Sequence, residues 1–358
     1  MSLVSSWSTK CEYEDVHRNG ITDMVLSESG KHLYTAGGDC VVTRWETKNL
    51  HTAIADYLGH ELPVLCLALS VTEDVLFTGS EDRTIRCWNV ATVACLQTYK
   101  GHELPVMALA LSRCRSTLWS ASCDATIREW DVVKGECRRV LSDGHTKRIE
   151  CLTLSRSGDV LISGGFDGQI VGWKVEVDDS TEETVPPQAT GVRLGSTPAY
   201  EVAVISIELH SNGHDLYVGY KDGLIRQWEV SKCAKSKCVQ DFKGHTRMVT
   251  GLRISADSTR LHSVSLDKTF CIWDTGLTDE GQGQCTLLQT CYGHMGQITE
   301  LVLNNEGRVA YTCAHDRSIR EWFAELKMVQ IDEKKPQRRA SAIKFRKLAV
   351  AADLSDGK

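Results

Sequence analysis

Histidine, aspartate and serine recur along this chain at spacings that could assemble a hydrolytic triad. Asp39, Asp82, Asp124, Asp167, Asp222, Asp267 and Asp316 each stand six residues before a tryptophan, namely Trp45, Trp88, Trp130, Trp173, Trp228, Trp273 and Trp322. Twenty-two residues before these aspartates stand His17, His60, His102, His145, His245 and His294, with Tyr200 in the fifth of the seven places. Ser80, Ser122 and Ser265 lie two residues before three of the aspartates. A carboxylate that orients an imidazole, which in turn takes a hydroxyl proton, is the machinery of acyl transfer. A nucleophile, however, is one exposed hydroxyl in a cleft beside oxyanion donors. Here one trio is copied along the chain with a tryptophan as constant companion, which is the mark of a structural repeat. No carboxylate pair, metal cluster or nucleophile stands outside that pattern, so no enzyme, cofactor or metal site is expected.

The elements that must position these residues follow from the same spacing. A unit of roughly 40 to 50 residues, repeated seven times, has the period of a four-stranded propeller blade. Four residues after each histidine position comes Ile21, Val64, Val106, Ile149, Val204, Val249 or Ile298. Six residues before the aspartate comes Leu33, Leu76, Leu118, Leu161, Leu216, Leu261 or Ala310, and three after it Val42, Ile85, Ile127, Ile170, Ile225, Phe270 or Ile319. Short β-branched runs broken by Ser, Gly and Asp read as strands and tight turns. No window sustains a helical period.

These residues resemble the WD40 repeat family. Gly59-His60, Gly101-His102, Gly144-His145, Gly244-His245 and Gly293-His294 match the opening of its repeat, and Trp130-Asp131 and Trp273-Asp274 match the dipeptide that names it. The resemblance covers residues 7 to about 325 and implies an all-β, seven-bladed WD40 β-propeller with a short basic C-terminal tail. It also implies that histidine, a Ser/Thr two residues before the aspartate, the aspartate and the tryptophan form a buried hydrogen-bond chain. On that reading the tetrad is complete in three blades: His60/Ser80/Asp82/Trp88, His102/Ser122/Asp124/Trp130 and His245/Ser265/Asp267/Trp273. Gly37, Gly165, Tyr220 and Ala314 occupy the hydroxyl position elsewhere. The outermost strand of the last blade is expected from the start of the chain, Ser8 to Glu14, since only Phe323 to Ile331 follows Trp322 before the tail; the rival is that Lys327 to Ile331 completes that blade.

The domain reading is a propeller over 7–332, an acidic insertion at 176–191 between blades 4 and 5, and a tail over 333–358. The insertion contains Asp178, Asp179, Glu182, Glu183 and the Pro186-Pro187 step, with Val192-Arg193-Leu194 resuming a strand. The tail has eight Lys/Arg against three acidic residues, a net of +5 on a body of net −11. It reads as a solvated arm, a nuclear address, or a docking arm for an acidic surface or nucleic acid. Arg338-Arg339-Ala340-Ser341 fits a basophilic kinase site, making Ser341 a candidate for phosphorylation. The acidic body disfavours nucleic acid elsewhere. Charged residues at 25% and hydrophobic ones at 42% are ordinary for a soluble domain. Fifteen cysteines, an odd count spread over the blades, read as reduced thiols of a cytoplasmic protein, the nuclear alternative resting on the tail. No apolar run approaches membrane-spanning length.

By resemblance to peptide-binding members, three positions per blade face the central channel: three and five residues after the histidine position, and one before the aspartate. These give Leu65, Glu81, Met107, Arg148, Glu150, Phe166, Lys221, Met248 and His315 as the protein-binding set, with Ile205 and Leu266 expected to tuck sideways. Phe166 and Met107 are the expected anchors. The functional expectation is a non-enzymatic scaffold or adaptor for protein or peptide partners, a monomeric subunit of a larger complex. The alternative is a substrate-receptor or regulatory subunit of an enzyme complex such as a cullin–RING ubiquitin ligase. Such receptors often carry Trp-Asp-X-Arg, whereas Trp130-Asp131-Val132-Val133 and Trp273-Asp274-Thr275-Gly276 do not.

Overall fold

A computed structural model describes residues 2–175, 191–194, 202–230, 237–278, 281–282 and 284–329, with side chains for 6–175, 202–230, 237–276 and 284–325. Tyr200, the acidic stretch 176–190, and the tail 333–358 with Ser341 lie outside the described residues. Ser6–Glu325 form one compact unit, and Met1–Ser5 with Leu326–Lys358 are grouped apart from it.

Seven four-stranded antiparallel sheets follow one another along the chain, and the described residues contain no helix. Their first strands are Ile21–Leu26, Val64–Leu69, Val106–Leu111, Ile149–Leu154, Val204–Leu209, Val249–Ile254 and Ile298–Leu303. Each touches the first strands of two neighbouring blades, the seventh touching the first, so the ring is closed around a central channel. The apolar positions that mark the repeat explain why. Those four after the histidine place, six before the aspartate and three after it are all at most 4% exposed. They fill the gaps between adjacent sheets. Tyr34, Ala36, Val42 and Tyr57 of the first blade, for example, meet Val64, Leu67, Leu76 and Trp88 of the second. Because both faces of a sheet are covered, second strands such as Val75–Ser80 and Thr117–Ser122 are buried almost end to end. At the fourth blade, Gly191–Leu194 pairs with Ile170–Lys174 as the resumed outer strand.

The ring closes with a strand borrowed from the other end of the chain. Ser2–Tyr13 is the outer strand of the sheet formed by Ile298–Leu303, Val309–Ala314 and Ile319–Val329. The expected outer strand from the start of the chain is therefore observed, though it begins at Ser2 and ends at Tyr13 where Ser8 to Glu14 was expected, and residues 327–329 continue the third strand instead of making a fourth. Trp7 and Tyr13 are both buried, at 6% exposure. Trp7 joins the core between blades 6 and 7, and Tyr13 that between blades 7 and 1. Gln289 of blade 6 grips Trp7 through both backbone groups, its Oε1 accepting from Trp7 N at 2.8 Å and its Nε2 donating to Trp7 O at 2.7 Å.

Candidate functional site

The hydrogen-bond chain behind the repeat is real, but its hydroxyl is not the one the spacing suggested. In blade 3, Trp130 Nε1 donates to Ser120 Oγ at 2.8 Å, Ser120 lies 2.7 Å from His102 Nε2, and His102 Nδ1 lies 2.8 Å from Asp124 Oδ2. With the indole donating, the consistent proton order is hydroxyl to Nε2 and Nδ1–H to carboxylate. The same links run through Thr35, Thr78, Ser163, Ser263 and Thr312. The bridging hydroxyl thus stands four residues before the aspartate, and the tetrad is complete in six blades instead of three. The register gives the reason. Trp130 sits opposite Leu118 and Trp88 opposite Leu76, so the indole N–H reaches two residues along the second strand. Ser80, Ser122 and Ser265 lie two residues further on, beyond its reach at about 3.3 Å per residue. They instead donate to loop carbonyls (Ser122 to Leu104 O at 3.0 Å, Ser265 to Arg247 O at 3.0 Å) and accept the aspartate amide N–H. Gly37 is no lost partner either: a Cβ there would lie 2.3 Å from Asp39 Oδ1 and 2.4 Å from His17 Nδ1.

This is the geometry of a triad without its chemistry. Ser120 and Ser263 are fully buried, each hydroxyl sits under an indole donor, and the motif repeats six times. What the aspartate does is mechanical. Asp124 accepts from the Glu103 amide at 3.1 Å and the Thr126 amide at 2.9 Å, tying the loop between blades to the turn within one. Burial opposes its charge, but the bonds from His102 and Thr126 outweigh that and hold the carboxyl far below its usual range. Asp167, held the same way through His145, sits at about 2. Blade 5 is the exception. Val218 takes the hydroxyl place, Trp228 Nε1 donates to Tyr220 Oη at 3.2 Å, and Asp222 accepts only the Leu224 amide among the described residues.

The positions read as channel-facing are pinned by two regular devices. In every blade the residue before the aspartate donates its amide to the carbonyl of the residue three after the histidine place. Phe166 N thus bonds Arg148 O at 2.8 Å, Leu266 N bonds Met248 O, and His315 N bonds Gln297 O, both at 2.9 Å. In every blade, too, the pairing of first and second strands slips by one after its first residue. The bulged residue is Thr22, Leu65, Met107, Glu150, Ile205, Thr250 or Thr299, which is the position five after the histidine place. A bulge re-aims its side chain out of the sheet.

Of the predicted set, Leu65, Met107, Glu150, Met248 and His315 line a channel cavity of about 490 Å³, and Ile205 and Leu266 line it as well. Ile205 and Leu266 are half-buried, as are Leu65, Met107 and Met248. Phe166, Arg148 and Lys221 come together beside it. The Arg148 guanidinium lies 4.1 Å and Lys221 Nζ 4.6 Å from the centre of the half-buried Phe166 ring, and Arg148 is also ion-paired with Glu150. Burial raises the Glu150 carboxyl despite the arginine. Glu81 is exposed on its own turn, apart from this cluster.

Two features were missed in the sequence. Leu62 and Leu104, 45% and 47% exposed, project from identical Gly-His-Glu-Leu-Pro-Val loops of adjacent blades. Inside the channel, Arg253 lies 3.2 Å from Glu300 and 3.8 Å from Glu208. Asp23, whose carboxylate accepts the amides of Met24 and Leu67, is pushed up to about 7 by burial and by nearby Glu300. The available signal was a charge interrupting the apolar run of a first strand.

The family description "WD domain, G-beta repeat" matches residues 9–46, 51–89, 93–131, 135–174, 236–274 and 285–322. The unmatched interval holds blade 5, whose tetrad is the incomplete one. Transducin beta-like protein 3 of Bos taurus is 26% identical over 89% of this chain and 44% of its own length. An uncharacterized WD repeat-containing protein of Schizosaccharomyces pombe is 27% identical over 74% of the chain and 57% of its own. The kinesin-like protein KIF21A of Homo sapiens is 27% identical over 74% and 12% respectively. The chain thus spans less than two thirds of the length of each of these relatives. No helix among the described residues is long and apolar enough to cross a membrane.

Proposed function

The chain belongs to the WD40 repeat family, and we propose that it is a non-enzymatic scaffold that holds a protein or peptide partner on the face bearing the tetrad aspartates. The observation that carries this reading is the cluster of Phe166, Arg148 and Lys221 at the channel rim. A half-buried aromatic ring with two cations on it offers apolar area and orienting charge in one place. Met107 and Leu65, aimed at the channel by their bulges, and the exposed Leu62 and Leu104 extend an apolar surface across blades 2 and 3. The ring's seven sheets supply a rigid platform, so binding there costs little ordering of the receptor.

Affinity capture with mass spectrometry tests it, using the full chain, the double variant Phe166→Ala/Met107→Ala, and a chain lacking residues 333–358. The double variant should keep its melting temperature and lose its partner, at about 2 kcal/mol or more per anchor. If it retains every co-purifying protein while removal of the tail abolishes them, docking belongs to the basic arm.

A further inference from the structure

The opposite face of the ring carries a pocket with different chemistry. There the first and second strands of each blade are joined by a turn that opens with serine in five blades. Its hydroxyl accepts the amide of the residue five further on, as Ser112 does from Thr117 and Ser155 from Val160, both at 3.0 Å. Blade 5 has His210 instead. Its Nδ1 accepts the Asn212 amide at 3.0 Å, which leaves the ring proton on Nε2, and that N–H has no acceptor among the described residues although the residue is only 9% exposed. The second turn residue is Arg113 in blade 3 and Arg156 in blade 4, both exposed. The three turns enclose a pocket of about 400 Å³ with Arg113, Arg156, His210, Ser155 and Ser211 around leucines that end the first strands. No carboxylate lines it, and neither arginine has an ion-pair partner among the described residues.

We propose that this pocket binds a phosphate monoester, with the Arg113 and Arg156 guanidiniums taking its oxygens above the wall formed by His210. Two planar forks on neighbouring turns suit a tetrahedral anion with several acceptor oxygens better than they suit a carboxylate. The group carries up to two negative charges, which matches two unpaired cations. The body's net negative charge does not forbid this, because charges more than about 8 Å away are largely screened at physiological ionic strength. The phosphate can come from a phosphorylated side chain of a partner or from a soluble phosphate ester, and the two sources are separable.

The test titrates the full-length chain with O-phospho-L-serine and, separately, with inositol 1,4,5-trisphosphate, by calorimetry and phosphorus NMR. Saturable binding of either probe is expected, weakened about tenfold or more by Arg113→Ser and by Arg156→Ser, and less by the lysine substitutions, which lack the fork. Arg308→Ser, in the matching turn of blade 7, should change nothing, and the basic tail contributes equally to every variant. Tighter binding of phosphoserine assigns the site to a phosphorylated partner, and tighter binding of the trisphosphate to a soluble ester. No saturable binding of either, equal weakening by Arg308→Ser, or full binding by the Arg113→Ser/Arg156→Ser double variant overturns the proposal.

Discussion

Trp7, from the chain's first strand, lies edge-on against His262 of blade 6, with ring centres 5.2 Å apart. Phe270 stacks on that imidazole at 6.0 Å and also meets Trp7 edge-on at 5.8 Å, so the three rings close a triangle. The N-terminal strand thus does more than complete the hydrogen bonding of the seventh sheet, because its tryptophan plugs the seam between blades 6 and 7. A closed ring without exposed strand edges should melt as one unit. Trp7→Ala should cost about 3–5 kcal/mol, and deletion of residues 1–15 should lower the melting temperature further. A melting temperature unmoved by the deletion would show that closure does not depend on this strand.

His262 makes that seam sensitive to acid. Burial lowers its pKa to about 4 and Arg260 adds to the effect, together outweighing the backbone of Arg253 and the charge of Asp257, which favour the protonated ring. A base depressed in the folded state contributes stability that is complete above the unfolded value near 6.5. That contribution is lost as pH falls towards 4. The share is about 3 kcal/mol over that window. His262→Tyr, which installs the side chain found at the matching Tyr34, Tyr217 and Tyr311, should remove it. The measurement is the difference in denaturant midpoint between variant and wild type at pH 7 and pH 4.5, which should swing in favour of the variant at the lower pH. The tetrad carboxylates do not confuse this reading, since groups depressed to about 2, such as Asp167, surrender their share only below about pH 4.

The tetrads separate two serines only two residues apart. Ser120→Ala leaves the Trp130 N–H and a buried imidazole nitrogen without a partner and should cost about 2–4 kcal/mol. Ser122, equally buried, instead donates to the carbonyl of the exposed Leu104 and accepts the Asp124 amide, groups that water can reach once it is gone, so Ser122→Ala should cost about 1 kcal/mol. Asp124→Ala, which unties His102, Glu103 and Thr126, should likewise exceed Asp222→Ala, whose carboxylate holds only the Leu224 amide among the described residues. Equal losses at Asp124 and Asp222, measured by chemical denaturation, would contradict this network.

The fold was legible because it is written seven times: a single Leu-x5-Asp-x2-Ile-x2-Trp stretch is ambiguous, whereas its recurrence is not. Leu65, Met107 and Glu150 were placed on the channel for a related reason, since a bulge at one fixed place in each blade converts a sequence offset into a direction, whereas Ile205 and Leu266, expected to tuck sideways, line the channel too. The tetrad hydroxyl was not. Ser120 and Ser122 are the same residue type on the same strand, and only the cross-strand register of Trp130 against Leu118 decides between them. The channel charges stayed hidden because Asp23, Glu208, Arg253 and Glu300 are scattered over 278 positions of sequence and meet only when the ring closes.

Those channel charges give the last prediction. Arg253 is the cation between Glu208 and Glu300, and burial raises the pKa of both carboxyls as it raises that of Asp23 to about 7. An acid raised in the folded state stabilises the protein below its unfolded pKa, and that contribution is lost as pH climbs through the folded value. Removing the arginine must therefore hurt most where the carboxylates are ionised. Arg253→Met, close in length and apolar, should destabilise by about 1–3 kcal/mol at pH 8, the cost of leaving half-buried carboxylates without their cation. At pH 5 the carboxyls can take up protons, and the deficit should shrink by half or more. Melting curves of variant and wild type at the two pH values decide it. A gap of the same size at both would mean that Arg253 acts by packing its aliphatic stem against the first strands and not by its charge.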